Sequence, residues 1–185
     1  MTSNEAFELL VAIVKGFEGC FLHAYPDPAS PLYKELSRLG LLRAYMSGRH
    51  PTPEALRRLS GAPWTIGYGE THGITEGMVW TQEEAELRLR YRLAQFLVAT
   101  YQRCPALLLL EPERATACTS LAYNIGVGAF GASSVCRHTT RHEFESAAKS
   151  FLLWNKAGGA VMAGLTKRRK VESSIYSLIY RLLHG

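Results

Sequence analysis

The strongest architectural signal in this chain is Thr81-Gln82-Glu83-Glu84. A Thr followed three positions later by Glu is a capping box, in which each side chain satisfies the other residue's backbone N–H at a helix start. Ala85, Leu89, Leu93, Phe96 and Leu97 follow at helical spacing, so one long helix is predicted to run to about Arg103, where Pro105 ends it.

The other segments are shorter. Thr2 and Glu5 form a second capping box, and Phe7, Leu10, Val11, Val14 and Phe17 predict a first helix to about Gly16 or Glu18. Helices are also predicted over 112–124, 133–139, 142–155 and 165–182, with Gly158-Gly159 breaking the last two. Trp64 to Gly73 alternates apolar residues with glycines and reads as short strands or a hairpin. In residues 28–63, Leu32, Tyr33, Leu36 and Leu39 precede Gly40. Thr52-Pro53-Glu54 then places an N-cap before a proline at the first helical position. Gly48-Arg49-His50-Pro51 is the expected turn between these two pieces. The class is α+β, mainly helical. Apolar residues make up 47% of the 185, enough for a sizeable core. No apolar run approaches the roughly 20 residues that span a bilayer.

The chemistry concentrates between Lys15 and Asp27. Glu18 ends an apolar helix pattern, and Asp27 follows in a turn after Tyr25-Pro26. Glycoside hydrolysis needs two carboxyl groups in different settings, because one must hold a proton while the other stays charged. Taken singly, Glu18 reads as a helix-end surface residue, Asp27 as a turn former and Thr65 as a strand residue.

Three blocks in order change that reading. Glu18-Gly19 opens the first, with eight residues between Glu18 and Asp27, and Thr65-Ile66-Gly67-Tyr68-Gly69 follows. Ser120 to Phe130 and then Gly164-Leu165-Thr166-Lys167-Arg168-Arg169 complete the set. Together they resemble the signatures of the phage-type lysozymes, the endolysins of glycoside hydrolase family 24. The resemblance implies a lysozyme-like fold, with a small lobe bearing a short β-hairpin and a larger helical lobe, joined by a long helix. The divisions are 1–80, 81–104 and 105–185, and residues 28–63 form a helical insertion where relatives have a much shorter connection. It implies cleavage of the β-1,4 bond between N-acetylmuramic acid and N-acetylglucosamine in peptidoglycan, causing host lysis. Glu18 would be the general acid, with Asp27 and Thr65 activating and positioning water. Gly69, Tyr123, Asn124, Phe130 and Ser133 would bind substrate, with Arg168 in support. Tyr123 and Phe130 read equally well as core. Glu70 stands where many relatives have His, and is either a surface charge or a rival acid.

The net charge of +5 suits polyanionic partners without choosing among nucleic acid, lipopolysaccharide and wall carboxylates. The resemblance selects bacterial peptidoglycan, without nucleic acid, for a monomer. Lys167 to Lys170 with Ile175, Leu178, Ile179 and Leu182 read either as an anionic-lipid contact or as the closing helix of a bundle. A non-catalytic wall-binding or membrane-perturbing protein on the same fold is the alternative, and intact Glu18, Asp27 and Thr65 argue against it. Met1 to Glu5 lacks a signal-peptide pattern. The expected location is therefore the host cytoplasm until lysis, when a separate phage pore protein lets the enzyme reach the periplasm. Cys20, Cys104, Cys118 and Cys136 show no paired spacing, and are expected as thiols without metal. His138 and His142 lack a third ligand, so neither metal nor cofactor is expected.

Overall fold

A computed structural model describes residues 1–184, with side chains described through Ser177. Among the described residues the chain is mainly helical with two small two-stranded sheets. It divides into two compact units. One is Glu18–Arg90, and the other joins Met1–Phe17 to the chain from Tyr91 onward. The boundary falls inside the long helix, and the first helix groups with the C-terminal part.

In the Glu18–Arg90 unit, strand β1 (Phe21–Pro26) pairs antiparallel with β2 (Trp64–Gly67). The register sets Phe21 opposite Gly67, Tyr25 opposite Thr65 and Pro26 opposite Trp64, with an irregularity between Phe21 and Tyr25. The principal partner of β2 is therefore a distant strand rather than the residues just after it. Those residues make a tight return in which the Ile66 and Glu70 backbones exchange two bonds of 2.9 Å. Gly67 has φ of 61°, and a Cβ there would stand 2.9 Å from the Trp80 ring.

The insertion holds α2 (Pro31–Arg38), whose N-cap Ser30 accepts from Tyr33 N, then α3 (Leu42–Met46) and a 3-10 turn at Glu54–Leu56. Thr52 does not cap a helix as expected. Pro53 stays extended, and the Thr52 hydroxyl donates to Glu76 at 2.6 Å instead. Leu32, Leu36, Tyr45, Leu56, Trp64 and Ile66 are buried.

The long helix α4 (Gln82–Arg103) carries the predicted box: Thr81 N donates to Glu84 at 2.9 Å, and Glu84 N donates to Thr81 Oγ1 at 3.1 Å. A 3-10 turn at Pro105–Leu109 follows it.

In the other unit, α1 (Ser3–Phe17) begins with the Thr2–Glu5 box. It packs on α5 (Pro112–Ile125), which is buried continuously from Glu113 to Ala122. Ala115, Ala117, Ser120 and Ala122 leave room for neighbouring helices to approach closely, and a helix buried on all sides carries no amphipathic period. Around it stand α6 (Val127–Ala132), α7 (Ser134–Thr140), α8 (Phe144–Phe151) and α9 (Ala163–His184). Leu107, Leu121, Phe130, Val135, Phe151 and Tyr176 are core residues here. The expected helix over 142–155 is shorter. Gly158 and Gly159, at φ of 55° and 81°, turn a small hairpin of β3 (Lys156–Ala157) and β4 (Ala160–Val161). Two positive φ values suit the primed turns that join antiparallel strands.

All four cysteines are free thiols. His138 pairs with Glu143 rather than with His142, and no metal-type cluster occurs among the described residues. The basic run on α9 is split, with Lys167 and Lys170 exposed and the two arginines between them buried. Arg168 and Arg169 are 3% and 0% exposed, and Ile175 is buried. That α9 segment closes a bundle, while the side chains of Leu178, Ile179 and Leu182 lie outside the described residues. Among the described residues no helix is long and apolar enough to cross a membrane.

Candidate active site

Glu18 follows the last residue of α1 and is half-buried. Asp27 follows β1, and its Oδ1 accepts from Ala29 N at 2.7 Å, the side-chain turn typical of Asp. Its backbone N–H donates to both Gly61 O and Pro63 O at 3.0 Å. Leu32 N donates to Ser60 O at 3.2 Å. These bonds clamp the two ends of the insertion together, so the longer connection returns the chain beside its starting point. Gly61 is required at that closure, because a Cβ would stand 2.6 Å from the Trp64 ring.

Strand pairing brings Thr65 to this corner. Thr65 lies opposite Tyr25, and alternation along the strand puts Asp27 on the Tyr25 side. Diagonal same-face neighbours across a pair stand about 7–8 Å apart. Tyr25 and Thr65 stand directly opposite each other across the strand pair, and both the Thr65 side chain and the Glu18 charge act on the Tyr25 phenol. Burial pushes the Tyr25 phenol up, the Thr65 side chain draws it back and the Glu18 charge raises it further. The structure thus assembles Glu18, Tyr25, Asp27 and Thr65 within one unit. Tyr25 was not singled out in the sequence. The alternation of Tyr25 with Ala24 and Pro26 was its only signal.

Gly69, at φ of 93°, is exposed, and nothing lies within 4 Å of a Cβ built there. Glu70 Oε1 accepts from Thr71 N and His72 N, both at 2.9 Å. Its carboxylate thus organises its own loop, which favours the surface-charge reading over that of a rival acid.

The remaining candidates belong to the other unit. Tyr123 is half-buried against Phe96, at 5.0 Å between ring centroids. Asn124 is exposed, and its Oδ1 accepts from Arg169 at 3.0 Å. Phe130 is fully buried in the core, and the Ser133 hydroxyl caps α7 by accepting from Cys136 N at 3.1 Å. Phe130 and Ser133 thus have structural roles here, in the core and at the start of α7. Arg168 lies over the Phe17 ring and donates to Glu172 Oε1 at 3.1 Å and Ser120 O at 3.2 Å. Arg169 Nη2 donates to the same Glu172 oxygen at 2.8 Å, and Ser120 Oγ donates there at 2.7 Å. Burial raises Glu172 against the opposing pull of these partners. Glu172, unmarked in the sequence, anchors both arginines.

A mainly helical chain with a small sheet corner that gathers two carboxyl groups and a threonine is of the lysozyme class. Residues 51–172 match the phage lysozyme family. The endolysin of Acyrthosiphon pisum secondary endosymbiont phage 1 is 35% identical over 119 residues, covering 61% of this chain and 79% of that protein. The endolysin of Bacillus phage B103 is 34% identical over 116 residues, covering 61% of this chain and 43% of that protein. Among solved structures, the muramidase domain of SpmX from Asticaccaulis excentricus gives a TM-score of 0.66 at 27% identity, covering 91% of this chain and 94% of that one. A mutant of P22 lysozyme gives 0.63 at 27% identity, with the same coverages. The chain belongs to the phage lysozyme family. It is an endolysin with muramidase activity, acting on peptidoglycan. Thr65 lies within the family match, whereas Glu18 and Asp27 precede it.

Proposed function

We propose that this endolysin cleaves the N-acetylmuramic acid–N-acetylglucosamine β-1,4 bond by inversion, with Glu18 as acid and Asp27 with Thr65 as the water-activating pair. The observation that carries the proposal is the Tyr25–Thr65 strand register, with the closure of the insertion onto Asp27 N. Glu18 protonates the departing glycosidic oxygen as its bond to the anomeric carbon breaks. The carbon passes through an oxocarbenium-like state. Water attacks the opposite face, giving its proton to Asp27 while Thr65 orients its oxygen. Exchange with solvent restores both carboxyl groups.

Gly69 lets a sugar approach the backbone, and Tyr123 and Asn124 keep the substrate roles implied by family resemblance. Arg168 keeps its supporting role. The protein is a monomer that accumulates in the host cytoplasm and reaches the wall from the periplasmic side when lysis begins.

The test is Glu18→Gln, which keeps size and polarity but cannot act as an acid. General acid catalysis is worth about 10²–10⁴-fold, so wall lysis falls by at least the lower figure while the fold is retained. Mass analysis of wild-type products identifies hydrated muramidase fragments. Near-normal lysis by the variant contradicts the assignment.

A further inference from the structure

A cavity of about 350 Å³ opens in the Glu18–Arg90 unit. Its volume lies at the lower end of the range for small-ligand pockets. Three segments build it: His23 and Ala24 of β1, Tyr45, Gly48 and His50 to Thr52 of the insertion, and Glu76 to Met78 ahead of α4. The expected family pattern has no counterpart to the insertion wall.

The polar groups are organised on one carboxylate oxygen. Glu76 Oε1 accepts from the Thr52 hydroxyl at 2.6 Å and the Tyr45 hydroxyl at 3.5 Å. Among the described residues no donor holds its second oxygen. On the insertion wall, His50 Nδ1 stands 2.8 Å from Pro51 O. A proton on that nitrogen leaves Nε2 as an acceptor. The His23 ring is seated directly on Gly48, where a Cβ would collide with it. No lysine or arginine lines the cavity, and Ala24 and Met78 supply apolar surface. One anionic oxygen, a ring acceptor and an apolar wall suit an alkylammonium group. A carboxylate ligand finds no cation here.

The substrate supplies such a group if the wall peptides carry a diamino acid. We propose that this cavity is a subsite for the side-chain ammonium of a peptide stem attached to the glycan, with Glu76 as its counter-ion. This rests on the muramidase reading above and adds to it a reason for the insertion. The spacing is compatible. His23 is two residues from Tyr25, roughly 7 Å along an extended strand, and Tyr25 lies opposite Thr65. A stem leaving a sugar at the active corner has a short distance to cover.

Two measurements test it. In the first, a soluble wall peptide bearing a free diamino-acid amine is titrated into the wild-type protein while the His23 and His50 ring resonances are followed by NMR. The same peptide with that amine acetylated is the control. The free amine shifts both rings, and acetylation weakens the effect at least tenfold. Equal response to both peptides, or no response to either, overturns the proposal. Ring shifts produced by N-acetylglucosamine oligomers instead of the amine assign the cavity to saccharide and also overturn it. In the second, kcat/KM is measured on stem-bearing glycan and on glycan stripped of its peptides. Wild type prefers the stem-bearing substrate, and Glu76→Gln lowers that ratio toward one through KM. A ratio unchanged in the variant is contrary to the proposal. Wild-type failure to cleave either glycan would instead defeat the muramidase reading.

Discussion

Thr65 cannot serve as acid or base near neutral pH, so its value lies in where its hydroxyl points. Tyr25 stands directly opposite it across the strand pair, and its phenol and the Thr65 side chain act on each other. Thr65→Val keeps the volume and removes the hydroxyl, so turnover falls while KM changes little. Tyr25→Phe leaves the threonine hydroxyl present but unanchored. A single neutral hydrogen bond is worth about 1 kcal/mol, so kcat falls about fivefold, less than for Thr65→Val. Steady-state kinetics on soluble wall fragments distinguish the two, and equal losses count against the positioning role of Tyr25. The inverting geometry also requires Glu18 and Asp27 carboxyls roughly 6.5–9.5 Å apart, rather than about 5–5.5 Å. Proton NMR of fresh product should show the α-anomer first from the β-linked glycan. Early β-anomer contradicts inversion.

At the scale of elements, local chemistry decided what could be read from the sequence. Both capping boxes formed as predicted, because each is closed by residues three positions apart. Thr81→Ala removes one partner at the start of α4 and should cost about 1 kcal/mol, read as a lower denaturant midpoint with unchanged m-value. Strand β1 was legible only as a turn approach, since its partner lies across the whole insertion. Thr52 made a correct local pattern for a cap, and lost to its hydrogen bonds with Tyr45 and Glu76. The Gly158-Gly159 break was visible, but the two short strands it joins carry no periodicity. Among the candidate site residues, Glu18, Asp27 and Thr65 were singled out by motif spacing, and the pairing of β1 with β2 that brings their segments together is a register no spacing reveals. Phe130 and Ser133 sat in a family signature, and their places in the core and at the α7 cap depend on contacts that the signature does not spell out. Tyr25 and Glu172 belong to no motif, because each acts through a side chain distant in sequence.

For the whole molecule, composition overstates the cationic surface. Acidic and basic residues nearly balance in Glu18–Arg90, so the surplus of +5 lies in the other unit. There, Arg114, Arg168 and Arg169 are buried. Two of them enclose Glu172, and removing one member of a buried ion cluster costs about 3–5 kcal/mol because the others lose their partner. Glu172→Gln should therefore lower the unfolding midpoint sharply. The pH dependence separates this cost from the titration. Burial holds Glu172 above its ordinary value in the folded state, despite Arg169, Ser120 and Arg168. Below the ordinary carboxylate range, about 4.3, both states are protonated and its contribution is fully present. As pH rises from there to the raised folded value, the unfolded chain releases the proton first, and this contribution is lost. Urea midpoints taken from pH 4 upward should show the wild-type advantage over Glu172→Gln narrowing through that window. An advantage that grows with pH would mean that the two guanidiniums outweigh burial, and that Glu172 is held as a carboxylate more strongly in the fold than in water.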